Sequence, residues 1–300
     1  YQQQYNGKRL AVSNALQTNG LLIDEKWCEF FRTNNFLIGI SVDGIKQTHD
    51  TWRRDTRGQG TYDRIVENVK LLDKFGVEYN ILTVVNQQTA ASIELIYDDY
   101  KQRGWHYQQY ILCMEPLGEG HGKKRFAISP DDYGDFLIKL FDLWYRDFLE
   151  GKQPYIRQFE NYIMMILGYR AEACDQGGTC SIQYVVEADG NVYPCDFYAL
   201  DEWLLGNFNS DQLDVIDRSR EQLGFVERSQ KLDPQCLSCE YFSLCRGGCQ
   251  RYRELLPVPA GEEEIYYNYY CSAYKSFFAA RIDKLKIVAA SLLNKETSSC

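Results

Sequence analysis

Cysteine constrains this 300-residue chain more than any other residue type, because eleven are present and eight form an ordered series. Four of the eight stand within one fourteen-residue segment: Cys236, Cys239, Cys245 and Cys249. The other four lie at scattered positions on both sides of it: Cys174, Cys180, Cys195 and Cys271. Eight thiols are enough for two complete four-thiolate sites.

A disulfide scaffold fits this series poorly. The number of cysteines is odd, no secretory signal is visible at the start, and 300 residues can build a core without cross-links. Thiols in such a chain point instead to metal chemistry in a reducing compartment. We therefore expect a cytoplasmic metalloprotein.

The kind of metal follows less directly from the spacing. The pair Cys236 and Cys239 alone favours zinc about as readily as iron. However, successive thiols of the segment are separated by two, five and three residues, and no histidine lies nearby. An all-thiolate set with unequal gaps is typical of cubane iron–sulfur clusters, whose corners need thiols from different directions.

Charge and hydropathy exclude other classes of partner. The net charge of −9 argues against nucleic acid as the main partner. No apolar run approaches the roughly 20 residues of a membrane span, so we expect no membrane partner.

The first 120 residues alternate between strand and helix patterns. Strands are predicted over 8–16, 36–42, 79–85 and 106–114, and helices over 24–32, 62–75 and 92–103, with a polar loop over 49–60. This alternation implies parallel strands with crossover helices, and function in such sheets lies at the carboxyl ends of the strands. Four strands are too few to close an eight-stranded barrel.

The pattern changes after residue 120. Long helices are predicted over 131–149 and 157–167, a β-hairpin over 182–194 turning at Asp189-Gly190, a short helix over 211–218 and a closing helix over 272–293. We therefore predict an α/β part over 1–120, a helical linker over 121–170 and a Cys-rich part over 171–300.

The cysteine series resembles one known family in detail. Seven cysteines and one glycine follow the order of the SPASM domain of radical S-adenosylmethionine (SAM) enzymes: Cys180-x9-Gly190-x4-Cys195, Cys236-x2-Cys239-x5-Cys245-x3-Cys249, then Cys271. The additional Cys174, with Asp196 directly after Cys195, is similar to the anaerobic sulfatase-maturating enzymes. The resemblance covers essentially the whole chain. It implies an α/β fold, a partial (β/α) radical SAM barrel followed by a Cys-rich SPASM domain with a small β-hairpin and helices.

The resemblance also implies how the eight thiols are shared between two auxiliary 4Fe-4S clusters. The first cluster is expected on thiol set I, which is Cys174, Cys180, Cys195 and Cys249. The second is expected on thiol set II, which is Cys236, Cys239, Cys245 and Cys271. Gly247 and Gly248 are expected to leave room for the inorganic core beside the backbone.

Three cysteines and a tyrosine-rich stretch fall outside these sets. Cys28 and Cys113 are expected to be small buried hydrophobes, and Cys300 is terminal. Four tyrosines crowd the last cysteine of set II, as core, cluster shielding or peptide groove: Tyr266, Tyr267, Tyr269 and Tyr270.

By resemblance, three residues would bind SAM: Ser41 in Ser-Val-Asp-Gly, Arg53, and Met114 at the end of a strand. Arg53 would pair with the SAM carboxylate, and Ser41 would hydrogen-bond its polar groups. The CxxxCxxC loop that carries a third 4Fe-4S cluster in this family is absent from the sequence. We therefore expect either an N-terminally truncated chain or a degenerate member.

Asp196 is the expected catalytic residue. The implied reaction removes a Cβ hydrogen from a Cys or Ser of a sulfatase by a 5′-deoxyadenosyl radical, while Asp196 takes the thiol or hydroxyl proton. The substrate radical then loses an electron, for which the auxiliary clusters are the expected exit, and the resulting thioaldehyde or aldehyde becomes Cα-formylglycine. We expect Asp196 to be partly buried beside an anionic cluster, and both conditions raise a carboxylate's pKa toward that of a general base.

The expected partners are an unfolded or extended sulfatase segment and an electron-transfer protein such as flavodoxin or ferredoxin. Whether Cys-type, Ser-type or both kinds of sulfatase are served stays open. One alternative is another SPASM radical SAM enzyme that modifies a different peptide. The second is a non-catalytic iron–sulfur or zinc protein for electron transfer or scaffolding.

Overall fold

The computed structural model describes residues 2–117, 119–253 and 267–297. Tyr266 and Cys300 lie outside the described residues. The chain divides into two compact units, and each is considered by itself. The first comprises Tyr1–Met114, Phe126–Ile128 and Asp135–Glu160; the second comprises Glu115–Arg125, Ser129–Gly134 and Asn161–Cys300.

The first unit is built on a parallel sheet with strands in sequence order. The strands are β1 (Asn14–Thr18), β2 (Phe36–Ser41), β3 (Tyr79–Val85), β4 (Tyr107–Leu112) and β5 (Tyr155–Ile156). The predicted parallel arrangement is therefore correct. The fifth strand was not predicted, because two residues are too few to show a periodic pattern.

Helices cover the chain between and after these strands. The α-helices are Gln2–Tyr5, Glu25–Thr33, Lys46–Trp52, Tyr62–Phe75, Gln87–Ala91, Ile93–Gln102, Pro130–Leu149, Arg157–Ile166, Cys174–Gly177, Leu213–Leu223, Phe225–Ser229, Pro234–Leu237, Phe242–Cys245 and Cys271–Thr297. Short 3₁₀ helices are Asp196–Tyr198, Asp201–Trp203 and Gln250–Tyr252. Within the described residues, no helix is long and apolar enough to cross a membrane.

The helix Tyr62–Phe75 shows why some bounds were predictable. Its apolar residues Ile65, Val69 and Leu72 recur at helical spacing and are fully buried. Burying each such side chain contributes about 1.5–3 kcal/mol. The helix ends at Gly76, whose φ of 64° is the left-handed conformation that glycine adopts at low cost.

Two predictions about the first unit were wrong in their bounds. Strand β1 begins at Asn14 rather than at Lys8, and it includes Gln17. The predicted polar loop from residue 49 overlaps the helix Lys46–Trp52, which buries Thr48 and His49. Polar residues on the buried face of a short helix give no hydrophobic periodicity, so the sequence pattern misses it.

The second unit contains a small antiparallel sheet of β6 (Val185–Val186), β7 (Asn191–Tyr193) and β8 (Gly206–Asn207). The predicted hairpin about Asp189-Gly190 is present, with shorter strands. Gly190 has a φ of 89°, and a Cβ there would lie 2.2 Å from Nδ2 of Asn209. This turn therefore requires glycine.

Candidate functional site

All four thiols of set II line one cavity in the second unit. The cavity has an empty volume of about 360 Å³, and its walls include the aromatic rings of Tyr267 and Phe278. Cys236 lies in the helix Pro234–Leu237, Cys245 ends the helix Phe242–Cys245, and Cys239 lies between these two helices. Cys271 begins the helix Cys271–Thr297. The sequence separates Cys236 from Cys271 by 35 positions, and the fold brings both to one cavity.

Burial and neighbouring acidic groups disfavour ionisation of two set II thiols, Cys245 and Cys236. The pKa of Cys245 is raised to about 12, mainly by burial and also by the neighbouring Cys271 and Cys236. Burial also raises the pKa of Cys236, with added contributions from Cys271, Asp233 and Cys239. Four thiolates can share this cavity only with cations between them, and the iron of a thiolate-ligated cluster supplies that charge.

The thiols of set I form a second neighbourhood. Burial raises the pKa of the Cys249 thiol, and Cys180, Asp175 and Cys174 raise it further. The pKa of Cys195 is raised to about 12, mainly by burial, and the nearby Cys180 contributes to the increase. The thiols of the two sets thus influence members of their own set.

The chain between Cys245 and Cys249 turns through three consecutive left-handed residues. Arg246, Gly247 and Gly248 have φ values of 48°, 80° and 66°. A run of this kind redirects the backbone sharply. As a result, Cys245 lines the set II cavity, whereas the pKa of Cys249 is raised by two thiols of set I. Glycine is favoured at two of the three positions because it carries no Cβ.

The expected reason for the two glycines was wrong in one respect. A Cβ on Gly247 would lie 2.4 Å from a methyl carbon of Leu232, and one on Gly248 would lie 2.5 Å from Nδ2 of Asn268. Protein side chains, rather than open space for a cluster core, lie against these two positions. Asn268 also donates from Nδ2 to the Gly247 carbonyl at 2.9 Å, so it ties the turn to the segment before Cys271.

Asp196 follows Cys195 and begins the 3₁₀ helix Asp196–Tyr198. The Cys195 thiol donates to its Oδ1 at 3.3 Å. The expectation of partial burial was wrong, because Asp196 is exposed. An exposed carboxylate beside a thiol of set I is free to meet a molecule arriving from solvent.

In the first unit, Ser41 ends β2 and Arg53 follows the helix Lys46–Trp52. Arg53 is half-buried, and it forms two hydrogen bonds with the buried carboxylate of Asp43: Nε to Oδ2 at 2.6 Å and Nη2 to Oδ1 at 3.3 Å. Oδ1 of Asp43 also accepts from the backbone N–H of Val84 at 2.9 Å. Asp43 therefore fixes the direction of Arg53.

The buried His49 helps to hold the backbone of Asp43 in place. Nδ1 of His49 accepts from the backbone N–H of Asp43 at 3.1 Å, and Nε2 lies 3.0 Å from Oγ1 of Thr61. Burial lowers the pKa of His49 to about 4, so the ring is neutral near pH 7. The sequence reasoning missed Asp43 and His49, although the polar Asp-Gly directly after β2 was a signal for the former.

Met114 comes two residues after β4 and is half-buried. The next residue, Glu115, is buried, and its carboxylate accepts from the backbone N–H groups of Gly122, Lys123 and Lys124 at 2.8–3.1 Å. The sequence did not predict this buried, hydrogen-bonded carboxylate. Among the remaining cysteines, Cys28 is fully buried as predicted, and Cys113 is half-buried.

Both donor sets consist of thiols alone, and this chemistry fits 4Fe-4S clusters, which Cys thiolates hold. Across residues 2–117, 119–253 and 267–297, no three His, Cys, Asp or Glu side chains are placed to hold one metal ion.

Residues 6–100 match the Radical SAM superfamily, and residues 174–240 match the SPASM iron-sulfur cluster-binding domain. The chain is 40% identical to a cysteine-type anaerobic sulfatase-maturating enzyme of Clostridium novyi (strain NT), over 97% of this chain and 77% of that protein. It is 30% identical to a serine-type anaerobic sulfatase-maturating enzyme of Bacteroides thetaiotaomicron, over 95% and 71% of the two chains.

A solved structure shows the same fold. The structure of native anSMEcpe with bound AdoMet and Cp18Cys peptide superposes with a TM-score of 0.91 and 40% identity, over 97% of this chain and 80% of that chain. Fold and sequence together define a radical SAM enzyme with a SPASM domain, a class that uses iron–sulfur clusters and SAM. Within that class the chain belongs to the anaerobic sulfatase-maturating enzymes, which confirms the family predicted from its cysteines.

Proposed function

We propose that this protein oxidises a Cys or Ser side chain in an extended sulfatase segment to Cα-formylglycine. The observation that carries the proposal is the contact between Cys195 of set I and the exposed Asp196. It joins a thiol of a cluster-type donor set to a carboxylate that a substrate can reach. Membership in the sulfatase-maturating family supports the choice of reaction.

Each thiol set would hold one auxiliary 4Fe-4S cluster, and Ser41, Arg53 and Met114 would hold SAM. When bound, these groups supply the one-electron chemistry that breaks the Cβ–H bond and removes the electrons. A third cluster belongs to the family's CxxxCxxC loop. An electron-transfer protein such as flavodoxin or ferredoxin would exchange electrons with the enzyme.

The protein's own residues bind, orient and move a proton. Arg53, held in place by Asp43, would pair its remaining N–H groups with the SAM carboxylate, since guanidinium matches carboxylate geometry. Asp196 would accept the thiol or hydroxyl proton of the substrate residue. A positioned base of this kind contributes typically 10²–10⁴-fold to a rate.

A cysteine-type substrate is the finer proposal. The cysteine-type relative from Clostridium novyi is 40% identical to this chain, against 30% for the serine-type relative from Bacteroides thetaiotaomicron. Paired synthetic peptides that differ only in Cys or Ser at the target position test this choice. Faster conversion of the Ser peptide would reverse it.

The experiment for the function has two parts. Anaerobically purified protein is first analysed for iron and sulfide, with about eight irons per chain expected from the two auxiliary sites. The full-length enzyme is then incubated with SAM, a reductant and a sulfatase peptide, and the product is identified by mass spectrometry. Stoichiometric zinc without iron, or a peptide that stays unmodified by the iron-loaded enzyme, would overturn the proposal.

A further inference from the structure

Arg251 is a buried cation with unused hydrogen-bonding capacity. The residue is 5% exposed, and its Nη2 donates to the Glu115 backbone carbonyl at 3.2 Å. Its Nε and Nη1 are buried and have no hydrogen-bond partner in the described part of the chain. One face of the guanidinium lies over the ring of Tyr198, with Cζ 5.8 Å from the ring centroid.

Unpaired N–H groups of this kind are costly. A buried donor without an acceptor loses its hydrogen bond to water with nothing in return, and the loss is larger when the group is charged. Native proteins keep such groups where an acceptor arrives from outside the chain, such as a ligand or an ordered water. The two free nitrogens of Arg251 therefore indicate a place for an oxygen acceptor.

The position of Arg251 relates it to the proposed catalytic residue. Arg251 comes two residues after Cys249. Tyr198, under the guanidinium, comes two residues after Asp196 in the same 3₁₀ helix. The chains that leave two thiols of set I therefore meet again at the contact between Arg251 and Tyr198.

His121 offers a complementary group in this neighbourhood. Its ring stacks on Tyr269 at 4.1 Å, and its Nδ1 lies 3.7 Å from Oε2 of Glu115. Burial lowers the pKa of His121, and the charge of Arg251 lowers it further, whereas Glu115 raises it. Nε2 of His121 is buried without a partner among the described residues. In the neutral tautomer that places the proton on Nδ1, towards the carboxylate, Nε2 is an acceptor.

The local charges favour a neutral ligand. The carboxylate of Glu115 is buried, and both its charge and that of Arg251 act on His121. These two charges are opposite in sign, so a neutral peptide group leaves the net charge around His121 unchanged, whereas an anion alters it. A peptide group also carries the two functions that are unmatched here, a carbonyl for Arg251 and an N–H for His121.

We propose that Arg251 binds a main-chain carbonyl oxygen of the peptide substrate beside the residue that Asp196 deprotonates. This inference rests on the proposed function and adds how the enzyme recognises a segment independently of its side chains. Arg251 would then be a substrate-binding residue, with His121 as its complement.

Binding to the cluster-loaded protein tests the proposal separately from turnover. A fluorescently labelled sulfatase peptide with a target Cys is titrated with the wild type, Arg251→Gln and Arg251→Lys, and anisotropy is measured. We expect the dissociation constant to rise at least about tenfold in both variants, with iron content unchanged. The matched control is Arg218→Gln, which removes the same charge from an exposed residue paired with Asp214.

A second measurement locates the carbonyl. Thioamides replace the carbonyl oxygens of the peptide one position at a time, because sulfur is a weaker acceptor. One position should weaken binding to the wild type and have no effect in Arg251→Gln, as a double-mutant cycle requires for a direct contact.

The outcomes separate the inference from the proposed function. Suppose that the wild type binds and oxidises the peptide, and that Arg251→Gln binds it equally well. Only the inference is then wrong, and water accepts the hydrogen bonds of the guanidinium. Loss of iron in both variants would show a structural role and also overturn it. A wild type that binds no sulfatase peptide would instead refute the proposed function itself.

Discussion

The guanidinium of Arg53 lies against the carboxylate of Asp43, with Nε 2.6 Å from Oδ2 and Nη2 3.3 Å from Oδ1. The same carboxylate accepts from the backbone of Val84 in β3. One buried acid thereby couples the direction of a proposed SAM-binding arginine to the parallel sheet. Its removal should affect both stability and binding.

Asp43→Asn should therefore weaken SAM binding as well as the fold. The amide keeps an acceptor for Val84, but it leaves a half-buried arginine without its counter-charge. Breaking such a pair should cost about 1–3 kcal/mol of unfolding free energy, since Arg53 keeps some solvent. Denaturant titration and equilibrium dialysis with SAM measure the two effects.

The control for Asp43 is Asp63→Asn, which breaks an exposed pair with Lys46. Exposed pairs add little stability, so neither the unfolding midpoint nor the SAM affinity should change. Equal behaviour of the two variants would contradict the role assigned to Asp43.

His49 should make stability depend on pH below neutrality. Its folded pKa of about 4 lies below the ordinary 6.5, so the unfolded chain binds more protons between these values. The contribution is complete above pH 6.5 and is lost as the pH falls toward 4. The difference corresponds to about 3 kcal/mol.

The His49→Asn variant isolates this contribution, because acid also affects other groups. Unfolding free energies of both proteins are measured at pH 7.5 and 5. The wild type should lose more stability than the variant on acidification. A parallel decline would show that His49 is not the titrating group.

The two thiol sets should be separable by mutation although Cys245 and Cys249 stand four residues apart. Either Cys245→Ala or Cys249→Ala should reduce iron from about eight to about four per chain. Combining Cys245→Ala with Cys236→Ala should cause no further loss, whereas combining it with Cys249→Ala should remove nearly all iron. Cys28→Ala, which changes a buried cysteine outside both sets, is the control.

Asp196→Asn should separate cluster assembly from chemistry. Iron content and peptide affinity should stay at wild-type values, while formylglycine formation falls at least about 100-fold, as expected for loss of a general base. The exposed Asp201→Asn, from the next 3₁₀ helix, should retain activity. Substantial peptide oxidation by Asp196→Asn would reject the proton-acceptor role.

Local patterns predicted the elements that depend on their own residues. The helix Tyr62–Phe75 and the strand Tyr79–Val85 have the predicted bounds, because each shows its apolar pattern within its own residues. The helix is also ended by the adjacent Gly76. The helix Lys46–Trp52 was missed because its buried His49 gains its hydrogen bonds from Asp43 and Thr61, which are not local. The short β5 and β8 likewise exist only through their partners.

The sequence by itself determined the family and the inventory of thiols, since cysteine spacing records ligand chemistry that few other functions require. The family resemblance already implied which thiols belong together, and the tertiary structure shows how they are separated: three left-handed residues turn the chain between Cys245, which lines the set II cavity, and Cys249. Tertiary packing also paired Arg53 with Asp43, and it left two nitrogens of the buried Arg251 without a partner among the residues that the structure describes. Such pairings depend on distances between remote segments, and those distances arise only when the chain packs.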